Sequence, residues 1–157
     1  HFDNSYNEYH SLWDNRMIAE ALMCMALNIY HEARNQSMVG QVAVGEVVMN
    51  RVEDSRFPDT ICEVVKQAVT YKNTDKPVLH KCQFSWYCDG QKDEPDFDSF
   101  AWREAKYHAH IVMSGKIVID VTQGATHYHA TYVKPDWART KKRTTKIDKH
   151  IFYRWER

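Results

Sequence analysis

A chain of 157 residues, 43% hydrophobic and 27% charged, has the size and makeup of one globular domain with a real core. Lysine plus arginine and aspartate plus glutamate balance at 21 each, so net charge selects no partner class, and no apolar run approaches the ~18 residues of a membrane helix. Aromatic residues reach 13%, a surplus that either lines a carbohydrate cleft or fills a core; composition leaves both open.

In chain order, residues 1–10 are polar and read as an N-terminal arm. A helix is expected after Ser11, with Leu12, Ile18, Leu22, Met25, Ala26 and Ile29 at helical spacing and Arg34 near its end. A second helix starts near Ser37 and buries Val42, Val44, Val47, Val48 and Val52, while Gly40 and Gly45 weaken it and imply close approach of a neighbour. "FPDTICEVVKQA" predicts a short third helix capped by Asp59 or Thr60. Residues 69–95 read as a loop with a hairpin, and "FDSFAWREAKYHAHIVMSG" as a fourth helix closed by Gly115. Extended pieces follow: "KIVID", "ATHYHATYV", and "TTKI" with "HIFYRWE" as a terminal hairpin. Helices first and strands late predict an α+β fold with a small antiparallel sheet, as a single domain over 11–157.

Four cysteines at this length do not make a disulfide scaffold. Cys24 reads as a buried thiol within the first helix; Cys82 and Cys88 flank "QFSWY" and could staple a short loop. Charge is unevenly spread, with seven cations against two carboxylates over residues 134–149. That segment could meet nucleic acid, anionic lipid or an acidic wall polymer, or simply be a solvated face.

The catalytic motifs thin out on inspection. "HEARN" lacks the second histidine of a zincin, Asn35 standing in its place. His127 and His129 lie two apart on a strand and point the same way, so both could ligate one ion or line a cleft, but no third ligand is recognisable. There is no nucleophile elbow and no phosphate-cradling glycine loop. A lone glutamate at the end of an apolar helix remains. Partial burial would raise its pKa and let it donate a proton near neutrality, yet spacing alone does not single out Glu32 over Glu20 or Glu46.

"YHEARNQSMVGQVAVGEVVMNRVEDSRFPDTICEVV", "CQFSWYCDG", "GATHYHATYVKPDWA" and "HIFYRW" together resemble the spore-cortex-lytic type of cell wall hydrolase, in the same order over residues 17–155. The resemblance implies a lysozyme-like α+β fold and cleavage of peptidoglycan between N-acetylmuramic acid and N-acetylglucosamine. It implies Glu32 as the catalytic acid, with Phe84, Ser85, Trp86, His127, Tyr128 and His129 lining the sugar cleft. No cofactor and no metal are implied. The expected partner is the peptidoglycan glycan strand, with no nucleic acid, no stable membrane insertion and a monomeric chain. A lytic transglycosylase needs one carboxyl group, whereas a hydrolytic muramidase needs two, about 5 to 9.5 Å apart; Asp89, Glu94 and Glu46 are the candidates for the second. A wall-binding module without catalysis is the rival outside enzymology.

Two departures shape the expectation further. His31 stands where family members often have glycine, beside the acid. The wall-binding domain that accompanies the spore enzymes is not recognisable here, which suits a phage lysin or a general wall hydrolase acting in the periplasm or outside the cell. The export route is not readable.

Overall fold

The computed structural model describes the backbone of residues 4–157 and the side chains from residue 14 onward. Four helices come first: α1 (Asn4–Ala33), α2 (Met38–Glu53), α3 (Ile61–Val65) and, after a hairpin, α4 (Phe100–Met113). The hairpin pairs β1 (Ala68–Thr70) with β2 (Pro77–Cys82), and a 3-10 turn at Ser85–Cys88 follows it. A second sheet comes late, from β3 (His127–Ala130), β4 (Lys142–Ile147) and β5 (His150–Arg154), in the order β3-β5-β4 and antiparallel throughout. The fold is α+β.

Helix starts follow their caps. Ser37 accepts from the Gly40 amide, Thr60 from Glu63 and Ser99 from Trp102, each satisfying a donor that the first turn leaves unpaired. α1 begins earlier than its sequence suggests, at Asn4 rather than after Ser11, since residues 4–10 contain no glycine or proline to halt it. Residues 1–3 of the expected arm lie outside the described residues.

α2 is the central element because it is apolar nearly all round. One side buries Val44 and Val48 against Met25 and Ile29 of α1, Val64 and Val65 of α3, and Ala105 and Ala109 of α4. The other buries Ala43 and Val47 against Phe152 of β5 and Ala125. Gly45 makes the α4 contact possible: a Cβ there would lie 2.8 Å from Val112, and 3.4 Å from Ile29 of α1. A buried polar clamp reinforces it, with His108 of α4 bonded to Gln41 of α2 at 2.8 Å.

Two findings differ from the sequence expectation. Cys24 is no free thiol; it is bonded to Cys62, 38 residues away, tying α1 to α3. "KIVID" forms no strand, and Val118 and Ile119 are exposed, because no neighbouring strand offers a ladder to that stretch. The staple between Cys82 and Cys88 is present and holds β2 to the 3-10 turn.

The β4–β5 turn reaches back to the start of α2. Asp148, at φ 51°, accepts from the Ser37 amide at 2.9 Å and from its hydroxyl at 2.6 Å. The Lys149 amide donates to Gln36 at 3.2 Å. A side chain at position 40 would run into Asp148, so Gly40 is required by this close approach.

Candidate active site

The last turn of α1 opens into a cleft of about 420 Å³ whose walls include Glu32, His31, Ser85, Trp86, Asp89 and Glu94. Two anchors hold the 85–94 wall against α1. The His31 ring stacks on Trp86, centroids 4.6 Å apart and planes 15° from parallel, and its Nε2 donates to the Asp93 carbonyl at 2.6 Å. Trp86 in turn donates from Nε1 to Asn28 at 2.9 Å. The residue that stands beside the acid in sequence is thus a rivet for the cleft wall.

Glu32 is half-buried, with its carboxyl group among protein atoms on most sides. The Tyr128 hydroxyl donates to it at 2.7 Å from β3. Register explains why: Tyr128 lies opposite Phe152, so both share the inward face of the sheet, toward the helices. Arg51 approaches from α2, donating from Nε to the Thr126 carbonyl at 2.7 Å. Its guanidinium sits 4.9 Å from the Phe57 ring and 5.1 Å from the Phe84 ring.

These surroundings pull on the acid in opposite directions. Burial raises the Glu32 pKa, while the Tyr128 hydroxyl and the Arg51 charge favour the carboxylate and lower it. Burial is the largest effect, so the group is held above the ordinary glutamate range. Tyr128 is raised well above the usual tyrosine value, by burial first and then by Glu32, so it is a hydrogen-bond donor and not a base at neutral pH. Burial lowers Arg51 to about 10, which leaves it a cation at neutral pH. An acid so placed can give a proton and then be stabilised without it.

Of the residues expected in the cleft, Glu32, Ser85 and Trp86 line it, Tyr128 meets it through its bond to Glu32, and Phe84, His127 and His129 lie elsewhere. Phe84 is 3% exposed and packs in the core beneath Arg51, so it offers no surface to a ligand. Tyr128 is spent on Glu32. His127 and His129 point to the opposite face of β3, where Trp137 covers both at 5.4 and 5.6 Å. Burial, reinforced by Arg51 and Lys141, lowers His127 to about 3, and it stays neutral. Among the described residues no three His, Cys, Asp or Glu side chains converge as a metal site requires. Asp89 and Glu94 share the cleft with Glu32; Glu46 does not line it.

Arg51 is the residue that sequence reasoning missed. It follows Val44, Val47 and Val48 at spacings of seven, four and three, which places a charge on a buried helical face. That pattern was its signal.

Such a site, a half-buried carboxyl of raised pKa at a helix end over a cleft, backed by a small antiparallel sheet, is that of a lysozyme-like α+β domain. The chain belongs to the Cell Wall Hydrolase family, which matches residues 35–153 and so begins three residues after Glu32. The spore cortex-lytic enzyme of Halalkalibacterium halodurans is 30% identical over 133 residues, covering 83% of this chain and 34% of that protein. That of Bacillus cereus is 28% identical over 138 residues, covering 83% of this chain and 43% of that protein. The chain therefore spans less than half the length of these curated relatives. Among solved structures, the catalytic domain of the germination-specific lytic transglycosylase SleB from Bacillus anthracis superposes with a TM-score of 0.62 at 27% identity, over 85% of this chain and 93% of that one. The catalytic domain of Bacillus cereus SleB gives 0.61 at 27% identity, over 87% and 91%.

Proposed function

We propose that this chain is a peptidoglycan lytic transglycosylase, acting on the cell wall outside the membrane as a monomer, with residues 11–157 as its catalytic unit and Glu32 as its acid and base. The observation that carries this reading is the setting of Glu32: a carboxyl group held above its ordinary pKa at a cleft, with a hydroxyl donor at 2.7 Å ready for its ionised form. Glu32 donates its proton to the glycosidic oxygen between N-acetylmuramic acid and N-acetylglucosamine, and the bond to the anomeric carbon breaks with its electron pair going to that oxygen. The Glu32 carboxylate then takes the proton of the muramic 6-hydroxyl as that oxygen bonds the anomeric carbon. Atoms balance without water, and Glu32 ends protonated. Ser85 and the His31–Trp86 stack form the wall against which the sugar lies.

The test is digestion of purified peptidoglycan with mass spectrometry of the soluble fragments. Anhydro-muramic ends, one water lighter than hydrolysed ends, are expected. Reducing muramic ends would instead establish hydrolysis, a second reading favoured by the presence of Asp89 and Glu94 in the same cleft. Binding without any released fragment would mean a wall-binding module and overturn both.

A further inference from the structure

Among the described residues Arg51 is the only lysine or arginine in the buried core, at 4% exposure. Among the described residues its Nη1 has no hydrogen-bond partner and it forms no ion pair. A buried guanidinium without a counter-ion is expensive, and an apolar side chain of similar volume would fill the space between Phe57 and Phe84 at less cost. Yet the Thr126 carbonyl and the two ring faces hold it in place. The Thr126 carbonyl it binds lies two residues before Tyr128, whose hydroxyl holds Glu32, so the Arg51 charge acts on both groups.

We propose that Arg51 is a positioning residue for the proton transfer: a fixed positive charge that stabilises Glu32 during the interval in which its proton is on the sugar. The inference rests on the reading of Glu32 as the acid. During that interval the Tyr128 hydroxyl and Arg51 face a carboxylate, and Arg51 acquires the counter-charge it otherwise lacks. With the proton returned, burial again favours the neutral acid. A fixed cation without a permanent counter-ion is therefore what lets one carboxyl group serve in both directions.

Other polar and charged side chains face Glu32 from the same cleft. His31 precedes it on α1, Arg34 follows just past the helix end, and Asp89, Lys92 and Glu94 come from the opposite wall. Arg34, Lys92 and Glu94 are exposed and Lys92 pairs with Glu94 at 3.3 Å, so water and salt screen them in a way that does not reach Arg51.

The experiment is a carbon-13 NMR titration of the Glu32 carboxyl in the full chain without substrate, for wild type, Arg51→Met and Arg51→Lys. It is run beside pH–rate profiles on purified peptidoglycan. Loss of the charge is expected to raise the Glu32 midpoint by about one pH unit or more. The alkaline limb of the rate profile should move the same way, and Arg51→Lys should restore part of both. A purely structural role would lower stability and leave the midpoint where it was. Should Arg51→Met not fold, Arg51→Gln keeps a donor for the Thr126 carbonyl and carries the same measurement. A folded charge-free variant with the wild-type midpoint overturns the proposal. Full turnover by Glu32→Gln overturns the reading of Glu32 itself, whatever the titration gives.

Discussion

β3 carries two kinds of polar residue on its two faces. Outward, His129 has both ring nitrogens bonded, to the Ala130 carbonyl at 2.7 Å and the Tyr153 hydroxyl at 2.8 Å, and stacks on Tyr153 under Trp137. His127 bonds Thr126 at 2.9 Å and packs between Phe57, Trp137 and Trp155. Inward, Tyr128 meets a carboxyl of raised pKa beside a cation with an unpartnered nitrogen. Satisfied groups hold a sheet in place; groups left short of partners have somewhere to go when a proton moves.

The contrast breaks first at the acid. Glu32→Gln should keep the fold and lose about a thousand-fold or more of activity on peptidoglycan, since the amide neither gives nor takes the proton. Equal turnover by this variant and wild type sinks the inward face as the seat of chemistry. Tyr128→Phe comes next, with an expected loss of about ten- to a hundred-fold, the size of one hydrogen bond to a charged group. His129→Phe, one residue along, should leave activity within about twofold while costing about 1 kcal/mol of stability in denaturant melts. If His129→Phe proves the more damaging to turnover, the assignment of the two faces is reversed. Selective reduction or Cys82→Ala/Cys88→Ala should act between these extremes. That bond holds the segment bearing Ser85 and Trp86, so turnover should fall several-fold on kinetic assay before the melting temperature moves much.

The pH dependence of stability sets a sheet residue against a helix residue, with opposite signs. His127 stays neutral down to about 3 in the fold, whereas the unfolded chain protonates it below about 6.5. The unfolded state binds more protons between those values, so stability falls as pH drops from about 6.5 toward 3. Glu46, raised to about 7 by burial and then by Asp120 and Glu53, keeps a proton that the unfolded chain releases above about 4.3. There stability falls as pH rises from about 4.3 through 7. His127→Gln should flatten the acid side of a melting-temperature profile and Glu46→Gln the alkaline side; a shared direction would contradict the burial of one of them.

Local signals carried three helices and the last hairpin: Ser37 and Thr60 are caps readable in the sequence, and "TTKI" with "HIFYRWE" became β4 and β5, whereas α1 starts before the expected Ser11. What local signals did not carry is the choice of face. The spacing of two in "HYH" put His127 and His129 on one side, but which side met Glu32 depended on β5 and Trp137, contributed by later residues. The bond between Cys24 and Cys62 was equally out of reach, because it depends on how α3 docks on α1. Phe84 was misplaced for the same reason: an aromatic beside a cleft loop and one beneath it read alike in a string of letters. Ser85 and Trp86 came with the motif resemblance, and Glu32 was singled out by it from among several glutamates.

The middle strand of the late sheet follows both of its neighbours in the sequence. Tyr128 is held by β5, and the turn before β5 is what Asp148 uses to bind the start of α2, 111 residues upstream of it. A nascent chain that has not yet released residues 148–154 has neither the backing for the Glu32 partner nor the tie at the cap just after Glu32. The surroundings of Glu32 therefore assemble only once residues 148–154 are in place, so the sheet that backs Tyr128 and the tie at Ser37 form together.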